Sequence, residues 1–239
     1  MKRTKMSCYA GRLLASASLL VFASAVNAAT IFDRSPNGVN EFGYVNQTDM
    51  SGNMFLVGDD ADLSLTPNSS GEWVIDSVTV WDVANGTTDP AANPMNEFAS
   101  LTLMFGDDAT GTLSPVSSTY SATYAPQMGF THAVYEVTFS GLDLVVPSDA
   151  DVGFAINAVA APMTSNTFAI LTSTGGPDAD GDYINYFVES PNAVYDGVTP
   201  VGGDVNVLIT GSAVPEPATF GFIGLGLLGA MFVNRRRKA

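Results

Sequence analysis

The chain has 239 residues, and its nine basic residues are confined almost entirely to its two ends: four precede residue 13, four close the chain, and only Arg34 lies between. Residues 29–213 thus set one arginine against 23 acidic residues, a formal charge of −22. That surface lacks the cations that neutralise phosphates, which excludes nucleic acid and anionic lipid and leaves divalent cations, basic proteins, polycationic surfaces or plain solubility.

At the N-terminus, Lys2, Arg3, Lys5 and Arg12 precede an apolar core from Leu13 to Val26, followed by Val26-Asn27-Ala28 with small residues at the −3 and −1 positions. This pattern predicts a signal peptide over residues 1–28, cut before Ala29. The apolar core is short for a span of about 20 residues. Cys8, the sole cysteine, leaves with the leader. The mature chain then has no disulfide, no cysteine nucleophile and no thiolate metal site, although export would permit disulfides.

Residues 29–213 are long enough to bury one apolar core and read as a single extracellular domain of short strands. Trp73–Val83 is β-branched and aromatic and runs into the turn dipeptide Asn85-Gly86. Leu101, Leu103 and Phe105 alternate with Thr102 and Met104, and Tyr135, Val137 and Phe139 alternate with Glu136 and Thr138. Ser140-Gly141 is expected to turn the chain into a strand carrying Leu142, Leu144 and Val146. Pro147-Ser148-Asp149 breaks that run before Val152, Phe154 and Ile156. Phe168–Leu171, Tyr183–Val188 and Val205–Ile209 complete the set. No stretch carries a long amphipathic helix. The expectation is an all-β fold, a two-sheet β-sandwich, jelly-roll-like, in preference to a barrel.

Eighteen of the 23 acids are aspartate, a residue of turns and loops. Asp178-Ala179-Asp180-Gly181-Asp182 is the best local motif, since alternate aspartates on a glycine-containing loop converge oxygens on a hard cation such as calcium. Glu189 falls at position 12 of a helix-loop-helix calcium loop, but Tyr183 stands where glycine is required and a strand follows. The expected site is therefore a non-EF loop with Asp178, Asp180 and Asp182 as ligands, set against a solvated hairpin loop. Asp59-Asp60-Ala61-Asp62 and Asp107-Asp108 are weaker candidates.

Catalytic constellations are sparse. His132 is the only histidine, no Gly-x-Ser-x-Gly elbow accompanies it, and residues 29–213 contain no lysine. No catalytic residue is assigned. Trp73, Trp81, Tyr120, Tyr124, Tyr183, Tyr186 and Tyr195 would stack sugars if several shared a face, or else fill the core. Asn46, Asn68 and Asn85 head glycosylation-type acceptor patterns.

From Val214 the chain reads Val214-Pro215-Glu216-Pro217, then an apolar stretch over Ala218–Val233, then Arg235, Arg236, Arg237 and Lys238. Pro215 and Pro217 hold an extended segment open to an enzyme's cleft. The apolar stretch makes about 24 Å of helix, enough for a short membrane insertion, and the basic cluster keeps the end cytoplasmic. This tail, residues 214–239, resembles the PEP-CTERM protein-sorting tail of Gram-negative bacteria. The resemblance implies recognition by an exosortase, a membrane cysteine transpeptidase, with tail removal near Pro215-Glu216-Pro217. It further implies association with the exopolysaccharide and biofilm matrix.

The leading expectation is a non-enzymatic surface or matrix protein sorted by an exosortase. A calcium-supported carbohydrate-binding module is the alternative, and a secreted hydrolase a distant third.

Overall fold

The structure, a computed structural model, describes residues 28–36, 44–45, 47–48, 54–66, 71–83, 93–125, 133–161, 168–199 and 203–214. The leader, the apolar and basic tail, His132 and the three acceptor asparagines lie outside the described residues.

The described chain is strands joined by turns and loops, with one helical turn, α1 (Pro94–Glu97), and a 3-10 turn over Leu63–Leu65. All pairings are antiparallel. One sheet runs β1 (Ala29–Arg34), β16 (Val207–Ala213), β5 (Glu72–Val83), β9 (Val134–Pro147) and β8 (Thr119–Tyr124). At the far end of β5, the short β11 (Ala169–Ile170) takes the place of β16 and carries β2 (Tyr44–Val45).

The second sheet runs β10 (Asp151–Ala160), β6 (Phe98–Gly106), β7 (Thr112–Pro115), β14 (Asn192–Thr199), β13 (Tyr183–Glu189) and β4 (Met54–Asp62), and β4 pairs back onto β10. Six strands therefore close a ring, with β3 (Gln47–Thr48) added beside β4. A third pairing joins β12 (Thr172–Ser173) to β15 (Asp204–Val205). The all-β expectation stands, but the two open sheets of a jelly-roll sandwich do not describe this molecule. Closure through β4 and β10 makes one of its sheets a small barrel.

Gly58 explains how the ring closes. It pairs with Ile184 of β13 and with Ala155 of β10, and a Cβ here would run into the Phe154 carbonyl oxygen. Only glycine lets the two backbones approach so closely.

Closure also produces two cores. Leu103, Phe105, Phe154 and Ile156 face the open sheet and pack with Ile75, Val78, Val80, Val137, Phe139, Val207 and Ile209. Met104 and Ala155 point the other way, into the ring, with Leu56, Leu113, Ile184, Tyr186 and Ala193. Because strands alternate faces, β4, β6 and β10 are a wall shared by both cores. Tyr186 Oη donates to the Ala109 carbonyl at 2.9 Å inside the ring, which satisfies its buried hydroxyl.

The turn expected at Ser140-Gly141 is a bulge. β9 continues through it, pairing with β5 on either side of a register shift between Ile75 and Ser77. Gly141 at φ +73° and Asp143 at φ +49° absorb the two extra residues that β9 carries opposite Asp76, and β5 is long enough to pair both halves. The hairpin between β13 and β14 was not signalled by a glycine dipeptide. At the C-terminal end, β16 pairs with β5 as far as Ala213, across a register shift between Thr210 and Gly211, and the Val214 N–H still donates to the Glu72 carbonyl at 2.8 Å.

Candidate functional site

The one arginine of the acidic domain is buried. Arg34 ends β1 at 1% exposure, and every nitrogen of its guanidinium is engaged. Nε donates to the Val205 carbonyl at 3.0 Å, and Nη1 to the Asp178 carbonyl at 3.1 Å. Nη2 donates to Asp59 Oδ2 at 2.8 Å and to the Asp60 carbonyl at 2.9 Å. The guanidinium also lies over the Phe32 ring, 5.4 Å from its centroid. Four segments far apart in sequence (β1, β4, the loop after β12, and β15) meet on this side chain.

Asp59 takes further donors from Val205 N at 2.6 Å and from Asp60 N at 3.0 Å. Burial pushes its carboxyl above the usual carboxylate range, while Arg34 and the Val205 N–H pull the other way. The donors converging on its oxygens suit the ionised form. Asp204, also buried, accepts from the Asp180 and Gly181 N–H groups through Oδ1 and lies 4.0 Å from Arg34 Nη1. Asn206 Nδ2 donates to the Arg34 carbonyl and to Ser173 Oγ, tying the two-stranded β12–β15 pair to the same hub.

Around this hub the structure sorts the sequence-predicted aspartates into separate roles. Asp178, at φ +57°, stands with Asp60 and Asp151, one carboxylate oxygen of each lying within 4.8 Å of the others. Asp62 N–H donates to Asp178 Oδ2 at 2.8 Å and fixes that carboxylate. Asp180 and Asp182 are not in this group. Asp180 Oδ1 accepts from Asp182 N at 3.3 Å, so those two face each other on the outer limb of the loop.

The group therefore draws one ligand from the loop that sequence singled out and two from neighbouring strands. Asp60 belongs to a segment weighed as a weaker candidate. Asp151 carried no local signal at all, because only the β4–β10 pairing brings it there. Asp108 caps its own turn, accepting from Thr110 N and Oγ1.

Crowding raises these acids. Asp151 is pushed up to about 7, chiefly by burial of its carboxyl and then by Asp60, Asp178 and Asp62. Asp178 is raised too, first by burial. Asp182 is pushed up to about 6 by burial and by Asp180. Three carboxylates from three elements form a hard-oxygen donor set of the type that suits calcium.

A third buried aspartate lies away from this hub. Asp82, near the end of β5, is 3% exposed and accepts the Ala169 N–H at 3.1 Å. Burial pushes it up to about 8, with Glu97 adding to the rise and the Ala169 bond opposing it.

The aromatic residues make no common platform. Trp73 and Tyr183 belong to the core between the sheets, Trp81 to a cluster on the outer face of the open sheet, and Tyr186 to the ring interior. Tyr195 packs against the ring core, while Tyr120 and Tyr124 lie on β8.

The last described strand, β16, ends at Ala213, and Val214 is the last described residue before the proline-flanked glutamate. Residues 213–238 match the family model of the PEP-CTERM protein-sorting motif. The motif marks the chain for export and for sorting by an exosortase to the cell surface. No curated protein and no solved structure matches the chain.

Proposed function

We propose that this is a non-enzymatic component of the exopolysaccharide matrix, released from its tail by an exosortase near Pro215-Glu216-Pro217. The sorting motif over residues 213–238 carries this reading. The apolar stretch Ala218–Val233 would insert as a transient helix, and Arg235, Arg236, Arg237 and Lys238 would hold its end on the cytoplasmic side. Among the described residues, no helix is long and apolar enough to cross a membrane.

The test is cellular. With Pro215, Glu216 and Pro217 changed to alanine, the chain is expected in the membrane fraction at its unprocessed mass, while the parent chain is recovered shorter from the matrix. In cells that make no exopolysaccharide, the processed chain is expected in the medium. Equal mass and equal fractionation in all three cases would sink the proposal.

A second reading rests on the Asp60, Asp151 and Asp178 group: a divalent cation, calcium by donor chemistry, clamps the strands to the loop. Calcium at about 100 times its Kd should add roughly 2.7 kcal/mol, seen as a rise in Tm. The rise should vanish in Asp60→Asn and Asp151→Asn. It should also shrink as pH falls through about 7, where Asp151 takes a proton. An unchanged Tm in the parent chain at pH 8 removes this reading. Glycan binding has the weaker support, because the aromatic side chains are dispersed.

A further inference from the structure

Among the described residues β8 is an edge strand of its sheet, with the α1 turn lying close to it. Its one neighbour in the sheet is β9, and no strand among the described residues pairs with its other side. The Ala125 N–H donates to the Val134 carbonyl at 2.8 Å, and the β8–β9 register continues from that pair. Antiparallel ladders alternate, so Thr119, Ser121 and Thr123 turn their N–H and C=O groups toward β9. Tyr120, Ala122 and Tyr124 turn theirs to the open edge.

Two other flanks of this sheet are blunted. β1 has a register shift between Thr30 and Phe32 and carries Asp33. The part of β9 beyond β8 carries Asp143 at positive φ and Pro147. Bulges, charges and proline of this kind prevent edge-to-edge pairing. β8 has none of them: the run from Ala109 to Tyr135 contains no Asp, Glu, Lys or Arg.

We propose that β8 pairs antiparallel with β8 of a second copy of this chain, about a two-fold axis at Ala122. Two observations select that occupant. Tyr120-Ser121-Ala122-Thr123-Tyr124 reads nearly the same in both directions, so two-fold antiparallel pairing sets tyrosine against tyrosine and serine against threonine, cross-strand pairs that favour a sheet. In this register Ala122 faces Ala122 of the second copy, and Tyr120 faces Tyr124 at both ends.

Charge is the second observation. A basic partner would be drawn to the carboxylates elsewhere on a −22 domain. An uncharged strip serves a partner that is itself acidic, because contact there places no carboxylate against another. A six-residue strand buries well below the area of a standard interface, about 1,200–2,000 Å². The pairing is therefore weak in dilute solution and matters where copies are crowded.

The test uses the full chain, exported by cells, in a Cys8→Ser background. Ser121 and Thr123 of the second copy form a non-hydrogen-bonded cross-strand pair about 4.5 Å apart at Cα, within disulfide range. The double variant Ser121→Cys, Thr123→Cys should give a band of doubled mass on a non-reducing gel. That band should exceed, several-fold, the one from a control cysteine at Val145, which is 59% exposed. Adding Ala122→Pro, which removes one outward N–H, should lower it without changing Tm. No doubled band from a folded double variant, a band equal to the Val145 control, or a cross-link to a protein of another mass overturns the proposal.

Discussion

Asp59 and Asp82 are both sealed from water, and they sit in regions that solve the same problem differently. Asp59 has a guanidinium at 2.8 Å and two backbone donors, so its negative charge is matched and organises four chain segments. Asp82 has one bond from Ala169, and burial lifts its carboxyl to about 8. There the charge is avoided, since the group keeps its proton at neutral pH. An anion inside this protein builds structure only where the single arginine reaches; elsewhere it makes stability depend on pH.

Removing the cation should break the first region. Arg34→Met leaves Asp59 buried without its counter-charge, and the expected loss is about 3–5 kcal/mol, measured by urea unfolding. Loss of less than about 1 kcal/mol would mean that Asp59 is held by its N–H donors alone.

The second region should respond in the opposite direction. A carboxyl whose folded pKa is raised binds more protons folded than unfolded, so its burden appears as pH climbs from the unfolded value, about 4, to about 8. Asp82→Asn retains an acceptor for Ala169 N–H and removes that burden. Stability at pH 7.5 should rise, on the order of a few kcal/mol, and the downward slope between pH 5 and 8 should flatten. An unchanged slope would assign the pH dependence to other acids.

Much of the strand content was legible. The alternation at Tyr135, Val137 and Phe139 and the run at Val152–Ile156 both lie in strands as expected. What periodicity could not convey was that β6 and β10 are buried on both faces: Met104 and Ala155 look like outward positions until the ring closes over them.

Asp59-Asp60-Ala61-Asp62 shows the converse. Four residues with three acids read as loop, yet they end strand β4, because Arg34 from β1 neutralises the buried member. That arginine was conspicuous as the sole base of the domain. Its partners, 25 residues away in one case and 171 in another, left no local trace. The carboxylate group was half legible for the same reason: a loop announces Asp178, while Asp151 arrives through strand pairing.

The end of β16 has a mechanical consequence. β16 lies between β1 and β5, and its bonding to β5 continues through Val214, the residue directly before Pro215-Glu216-Pro217. No slack chain separates the fold from the start of the sorting motif. Whatever the C-terminal end is joined to pulls along the axis of an inner strand. Its cross-strand bonds then resist together in shear, instead of opening one at a time like an edge strand being peeled. A load that would strip an outer hairpin is shared along the length of β16.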